Sequence, residues 1–128
     1  MRSEVLANLY LGDTTDAIRF GFPMEPLQGT LDLTGWDAEK EINHKDFSTI
    51  RQAIKIIDIY LTKNCPLLVF CHAGMDRSPF VVACYILENY DDMTPVTSYE
   101  DVKSVHPQTI IHDDWMKLWV QSSEVKSA

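Results

Sequence analysis

The sequence predicts an α/β fold, with a small central sheet flanked by helices on both sides, from three observations. Short strand-like segments alternate along the chain with segments of helical periodicity. One short segment, Pro66 to Cys71, is almost continuously apolar, which is typical of a strand covered on both faces. The length of 128 residues and the hydrophobic fraction of 45% suffice for one core. We therefore interpret residues 1–128 as a single domain.

The first third of the chain contains two predicted strands. Leu6 to Leu11 is mostly apolar and stops at Gly12, which predicts a short strand followed by a turn. Thr14 to Phe20 has room for one or two helical turns before a loop that contains glycine and proline. Gly29 to Thr34 alternates in the manner of a strand and includes β-branched residues, which predicts the second strand.

Two predicted helices surround the apolar strand. The first runs from about Asp46 to Thr62, because its apolar residues are spaced by four, three and four positions and share one face: Ile50, Ile54, Ile57 and Leu61. The second runs to Asn89, with Ser78 as its cap and Pro79 in the first helical position, where a missing N–H costs nothing. Both are expected to pack against the sheet.

The last third of the chain predicts two further helices. Thr97 or Ser98 resembles the cap of a short helix that closes before Pro107. A second helix follows His112 and contains two tryptophans four residues apart, which we expect to pack in the core.

Composition excludes several classes of function. Eleven basic and 19 acidic side chains give a formal charge of −8, which disfavours nucleic acid as a partner because phosphate neutralisation needs a basic surface. The longest apolar stretch, Pro79 to Leu87, is far shorter than the roughly 20 residues that cross a bilayer. Glu4 interrupts the position where a secretory signal needs apolar residues, and three cysteines without metal-type pairing indicate free thiols. We predict a cytoplasmic protein with no membrane partner, no metal and no other cofactor.

One loop between the apolar strand and the next helix is predicted to carry the chemistry. Its residues are Cys71, His72, Ala73, Gly74, Met75, Asp76, Arg77 and Ser78. A loop of this length turns successive N–H groups toward one point, and the helix start adds partial positive charge, so the loop predicts an anion cradle. Gly74 permits the close backbone approach, and Arg77 presents a planar fork to two phosphate oxygens.

The same field acts on the thiol of Cys71. A helix N-terminus and a guanidinium lower a cysteine pKa from about 8.5 to between roughly 3.5 and 7.5, so we expect a thiolate at neutral pH. A thiolate under a bound phosphate is a nucleophile in line with phosphorus, and Ser78 is positioned to donate a hydrogen bond when the sulfur leaves. The alternative, in which Cys71 is only a small buried hydrophobe, is disfavoured by the strand, loop and helix around it.

With this loop the sequence resembles the cysteine-based protein tyrosine phosphatase superfamily, and most closely its small dual-specificity branch. Leu9 to Asp13 resembles the first strand of that branch, and Tyr85 to Leu87 matches the helix after the loop. The resemblance implies a protein tyrosine phosphatase-like fold with Cys71 as the nucleophile and Arg77 as the phosphate clamp. It also implies that the cradle consists of the N–H groups from His72 to Arg77.

Two departures from the family pattern affect acidity and proton donation. Phe70 stands where family members usually have histidine, which predicts a less acidic thiol. The region between Thr34 and Asp46, where the family carries its general acid, is shorter than usual. Asp37 is our candidate for the acid because it follows Trp36 at a strand end, as the acid follows a tryptophan in larger family members. Four other carboxylates remain alternatives: Asp32, Glu39, Glu41 and Asp46.

The resemblance implies hydrolysis of phosphate monoesters through a phosphocysteine intermediate. A short chain lacks room for the long loops that deepen the pocket of tyrosine-specific members, so we expect a shallow site that accepts phosphotyrosine and also admits phosphoserine and phosphothreonine. We therefore predict a phosphorylated protein as the partner. Met75 and Asp76 supply none of the lysines that inositol-lipid phosphatases of the superfamily often carry. The alternative function is a catalytically weak phosphatase-like module that binds phosphorylated partners. An RNA triphosphatase activity is disfavoured by the acidic charge.

Overall fold

The computed structural model describes residues 3–16, 29–34, 36, 42, 44–72 and 75–127, with the backbone alone at 44 and 123–127. Within these residues the sheet has four strands: β1 (Ser3–Leu6), β2 (Leu9–Gly12), β3 (Gly29–Asp32) and β4 (Leu67–Phe70). Their order across the sheet is β1-β2-β4-β3. Strand β1 is antiparallel to β2, whereas β2 and β3 both run parallel to β4. The predicted central strand is confirmed.

The amino-terminal segment forms a hairpin of two strands, β1 and β2, so the prediction of one strand over Leu6 to Leu11 is wrong in detail. The chain reverses between β1 and β2, and Asn8 adopts a φ of 69° there. Asparagine tolerates this left-handed backbone better than most residues, which is why so short a turn forms without glycine. Of the helix predicted over Thr14 to Phe20, residues 14–16 are helical and the remainder lies outside the described residues.

Four longer helices follow within the described ranges: α1 (His44–Thr62), α2 (Arg77–Asn89), α3 (Pro95–Val105) and α4 (Asp113–Ser127). The predicted helix over Asp46 to Thr62 is confirmed as α1. None of the helices in these ranges is long and apolar enough to cross a membrane.

Two helix starts differ from the prediction. Helix α2 begins at Arg77 with Asp76 as its N-cap, so Ser78 lies inside the first turn and is not the cap. Helix α3 begins at Pro95, and the Thr94 side chain accepts a hydrogen bond from the Thr97 backbone N–H. In both cases an earlier polar residue takes the cap position, and of the two only Thr94 caps its helix through its side chain.

The main hydrophobic core lies between one face of the sheet and the helices. Leu67 and Val69 of β4 pack there with Ile57 of α1 and Phe80 of α2. The tryptophans of α4, Trp115 and Trp119, are buried in the same core as predicted. Two residues of β4 form a second cluster, with Tyr10 packed against it: Leu68 and Phe70. Leu68 is fully buried, so this part of the sheet is covered on both faces and the predicted α/β fold is confirmed.

Candidate active site

The candidate site lies where the parallel strands end. The register pairs Gly12 of β2 and Asp32 of β3 with Phe70 of β4, so all three strands finish at one edge of the sheet. The N–H of Leu33 also donates to the Phe70 carbonyl at 2.9 Å, which holds the end of β3 beside Cys71. Ligands of α/β proteins bind outside the carboxyl ends of parallel strands, because loops and helix starts converge there.

Cys71 and Ser78 meet across the loop. The Cys71 Sγ lies 3.3 Å from the Ser78 Oγ, and both side chains are buried. Ser78 is in the first turn of α2, so its hydroxyl reaches the sulfur from the helix start. A sulfur beside a hydroxyl and a helix N-terminus has the surroundings that stabilise a thiolate.

The guanidinium of Arg77 contacts the segment that follows β3. Its Nη1 donates a hydrogen bond to the backbone carbonyl of Trp36. The next residue in the chain is Asp37, the candidate general acid, which lies outside the described residues. The assignment of Asp37 as the acid stays a prediction. The residue before it, Trp36, is hydrogen-bonded through its carbonyl to Arg77, the predicted phosphate clamp.

The Trp36 side chain is fixed from α1 and α4. Its Nε1 donates to the Asp46 Oδ1 at 2.6 Å, and both residues are buried. The indole also packs near the Trp115 ring, with centroids 6.2 Å apart. Three helices thus determine where the predicted acid-bearing segment begins: Asp46 in α1, Arg77 in α2 and Trp115 in α4. Trp36 was predicted only as a neighbour of the acid, and its contact with Asp46 was not.

The described alternatives for the general acid have other partners. The Thr34 hydroxyl and N–H donate to the Asp32 Oδ1 at 2.6 and 2.8 Å, and these bonds lower the pKa of Asp32. A carboxylate held ionised in this way is a poor proton donor at neutral pH. Asp46 is engaged by the indole of Trp36. The other two alternatives, Glu39 and Glu41, lie outside the described residues.

The second half of the predicted phosphate loop is held by the segment before α4. The Ile110 N–H donates to the Met75 carbonyl at 2.8 Å. The Asp76 Oδ1 lies 2.7 Å from the Nε2 of His112. Asp76 therefore pairs with His112, which is 36 residues away in the chain and was not predicted. No local sequence pattern signals a contact at that separation.

Other loop residues occupy the rim or lie outside the described ranges. His72 is exposed at the start of the loop, and its positive potential is one of the influences that lower the pKa of Asp32. Met75 is partly buried, and the Asp76 side chain is 40% exposed. The predicted cradle residues Ala73 and Gly74 lie outside the described residues.

The three cysteines differ sharply in their surroundings. All three are free thiols. Cys84 is fully buried in α2, and burial raises its pKa well above the ordinary range, which keeps it protonated. Cys65 is buried near the start of β4, where its thiol faces the Lys63 carbonyl at 3.6 Å. Cys71 is the cysteine that stands at a helix start beside a hydroxyl.

The contact between Trp36 and Asp46 gives a stability prediction. We expect Asp46→Ala to lower the free energy of unfolding by about 1 to 3 kcal/mol, because it leaves a buried indole N–H without its acceptor. The exposed Asp58 on the same helix provides a matched control, and Asp58→Ala should change stability by less than about 0.5 kcal/mol. Urea unfolding of both variants measures the difference, and equal midpoints would contradict the role given to Asp46.

Comparison with known proteins identifies the family. Residues 27–122 match the family model described as dual specificity phosphatase, catalytic domain. The chain belongs to the dual specificity phosphatase family. Its resemblance to the cysteine-based protein tyrosine phosphatase superfamily, and to the small dual-specificity branch, is confirmed. The match covers the candidate site, from the strand before Trp36 to the helix after His112.

Two relatives of this dual specificity phosphatase domain are Arabidopsis thaliana proteins. Phosphatidylglycerophosphate phosphatase PTPMT2 is 33% identical over 84 residues, which are 59% of this chain and 36% of that protein. Phosphatidylglycerophosphate phosphatase PTPMT1 is 31% identical over 77 residues, which are 60% of this chain and 23% of that protein. The matched regions are therefore about a third and a quarter of the relatives' lengths.

A solved structure with the same fold is a leucine rich repeat and phosphatase domain containing protein from Entamoeba histolytica. It superposes with a TM-score of 0.78 at 15% identity and covers 99% of this chain and 95% of that chain. At this identity the similarity establishes the fold alone. The fold of a dual specificity phosphatase domain, with its loop between a central strand and a helix, is thus found in this chain.

Proposed function

We propose that this dual specificity phosphatase domain hydrolyses phosphate monoesters through a phosphocysteine intermediate on Cys71. The observation that carries the proposal is the 3.3 Å contact between the Cys71 Sγ and the Ser78 Oγ, at the junction of the central strand and α2. A buried thiol at that junction lies beside the start of the helix, and the first N–H groups of a helix bind anions. Family membership supports the same reaction class.

In the first step the phosphate lies on the loop N–H groups and the Arg77 guanidinium. The Cys71 thiolate attacks phosphorus, so the S–P bond forms as the bond from phosphorus to the leaving oxygen breaks. Asp37 gives its proton to that oxygen, which leaves as a neutral alcohol or phenol. Arg77 compensates the negative charge on the equatorial phosphate oxygens, and its planar guanidinium donates hydrogen bonds to two of them.

In the second step water hydrolyses the phosphocysteine. The Asp37 carboxylate now accepts a proton from the attacking water, the O–P bond forms, and the S–P bond breaks with its electron pair on sulfur. The Ser78 hydroxyl donates a hydrogen bond to the departing thiolate, which lowers the cost of the charge that it acquires. Inorganic phosphate then dissociates.

The substrate class that we propose is a phosphorylated protein. The chain carries a formal charge of −8, which opposes approach to an anionic membrane. Asp76 adds a carboxylate to the rim of the loop, and among the described loop residues only His72 and Arg77 are basic. These charges suit a ligand with a single phosphate on a neutral or basic polypeptide.

Phosphatidylglycerophosphate is the second candidate substrate. It is supported by the names of the two Arabidopsis thaliana relatives, which are 33% and 31% identical to this chain over the matched regions. A shallow site would admit its headgroup as readily as a phosphorylated side chain. The two candidates differ in the molecule that carries the phosphate, which is a polypeptide in one case and a lipid in the other. Kinetic measurements with each substrate distinguish them.

The proposal is tested by comparing three substrates in a buffer with EDTA. We expect hydrolysis of para-nitrophenyl phosphate to persist in the chelator, because the mechanism uses no metal. We also expect kcat/KM for a phosphotyrosine peptide to exceed that for phosphatidylglycerophosphate in mixed micelles by about tenfold or more, a difference of about 1.4 kcal/mol. The reverse order would assign the lipid. A protein that binds the phosphopeptide but hydrolyses none of the three substrates would be a binding module.

A further inference from the structure

Asp76 occupies the N-cap of α2 without capping it. Aspartate is among the strongest N-cap residues, because its carboxylate accepts from the free N–H groups of the first turn. Here Asp76 has φ −112° and ψ −72°, and its side chain makes no capping hydrogen bond. Its Oδ1 instead lies 2.7 Å from the Nε2 of His112. The carboxylate therefore faces away from the groups that it is best suited to bind.

The free N–H groups at this helix start are the ones that a phosphate on Cys71 would use. The Phe80 N–H already donates to the Asp76 carbonyl at 3.2 Å, and Pro79 has no N–H. The remaining first-turn donors belong to Arg77 and Ser78, and the helix itself offers them no acceptor. A carboxylate that turned back to cap α2 would occupy these donors and place a negative charge where the phosphate binds.

The His112 imidazole is held firmly enough to restrain a carboxylate. It stacks on the Trp115 ring with centroids 3.8 Å apart and planes inclined by 10°. Its backbone N–H donates to the Tyr99 hydroxyl at 3.3 Å, and the nearby Ile110 N–H donates to the Met75 carbonyl. An ionised carboxylate only accepts hydrogen bonds, so the His112 Nε2 carries the proton in this contact.

We propose that His112 is a positioning residue that draws the Asp76 carboxylate away from the start of α2 and thereby keeps the phosphate site open. The inference rests on the proposed function in one respect, that the loop takes a phosphate. It adds that the loop itself contains a carboxylate, that of Asp76, which can compete with phosphate for the site. His112, outside the loop, prevents this competition.

Two substitutions separate the hydrogen bond from the stacking contact. His112→Phe keeps an aromatic ring on Trp115 but removes the donor, whereas His112→Gln removes the ring and keeps an N–H donor. The probe is inorganic phosphate, whose affinity is measured by the protection it gives Cys71 against iodoacetamide. We expect His112→Phe to weaken phosphate binding about tenfold, as for loss of a hydrogen bond to a charged group, and His112→Gln to stay within about threefold of the wild type.

Removal of the Asp76 carboxylate, the proposed competitor of phosphate, provides the decisive test. In an Asp76→Ala background, His112→Phe should change phosphate affinity by less than about twofold, because no carboxylate remains to be restrained. Asp76→Ala alone should bind phosphate at least as tightly as the wild type. The exposed Asp114 in the first turn of α4 provides a matched control, and Asp114→Ala should leave phosphate affinity unchanged within about twofold.

Each outcome supports or overturns the inference. Equal affinity in His112→Phe and the wild type would overturn it, and so would a loss that persists in the Asp76→Ala background, which would indicate a purely structural role. If His112→Phe does not fold, weaker phosphate binding in Asp76→Ala would still refute the inference. A wild type that binds phosphate but hydrolyses no ester would refute the proposed function alone. A wild type in which phosphate gives Cys71 no protection would refute both.

Discussion

Substitution of Cys71 by serine is expected to lower kcat/KM for para-nitrophenyl phosphate by a factor on the order of 10⁴ to 10⁶, the usual cost of removing a covalent nucleophile. The hydroxyl of serine keeps its proton at neutral pH, whereas the proposed nucleophile is an anion. The Ser78 hydroxyl, whose Oγ lies 3.3 Å from the Cys71 Sγ, is no stronger as a base than the serine that would replace Cys71. Release of para-nitrophenolate in EDTA measures the loss directly.

Cys65 is the matched control for Cys71. It is also a buried free thiol, but it lies before β4 rather than after it. Cys65→Ser should leave turnover within about twofold, since it changes no group at the candidate site. Cys71→Ser should meanwhile still bind inorganic phosphate, because the cradle and Arg77 remain, and a thermal shift with phosphate tests this. Activity that survives in Cys71→Ser would reject the phosphocysteine mechanism.

The strand, loop and helix around Cys71 were predictable because their signals are local. An apolar run, a loop with glycine and a helix with proline near its start lie within one stretch of sequence, Leu67 to Asn89. Their order alone brings a thiol to a helix N-terminus. The same reasoning assigned the cap to Ser78, and it failed there because the helix begins at Arg77, with Asp76 in the N-cap position and its side chain paired with His112. The Ser78 hydroxyl instead faces the Cys71 sulfur.

The contacts that hold the site from outside the loop were not predictable. Trp36 meets Asp46 across 10 residues, and Asp76 meets His112 across 36 residues. Hydrophobic periodicity reports which face of an element is buried but not which polar partners meet when elements pack. Aspartate and histidine in loops are usually solvated, so neither residue type by itself indicated a pair.

The proposed general acid, Asp37, provides the second large expected effect. We expect Asp37→Ala to lower kcat by about 10² to 10⁴ on a substrate with a poor leaving group, such as a phosphotyrosine peptide, because the oxygen must then leave without a proton. The effect should be much smaller on para-nitrophenyl phosphate, whose phenolate is a stable anion. The measurement compares both proteins on a series of substrates whose leaving groups differ in acidity. The rate should depend more steeply on leaving-group acidity in the variant than in the wild type.

Asp32 is the appropriate control for Asp37, because it is a carboxylate at the edge of the sheet where the candidate site lies and it has an assigned partner. The Thr34 hydroxyl and N–H hold it ionised, so Asp32→Asn should change the leaving-group dependence little. The rate of the wild type should also fall as pH rises through the pKa of the acid, and this limb should disappear in Asp37→Ala. A loss of less than a few-fold on the phosphopeptide would move the role to Glu39 or Glu41. In-line displacement requires the acid on the side of phosphorus opposite the thiolate, and the contact of Arg77 with the Trp36 carbonyl ties the residue before Asp37 to the predicted phosphate clamp.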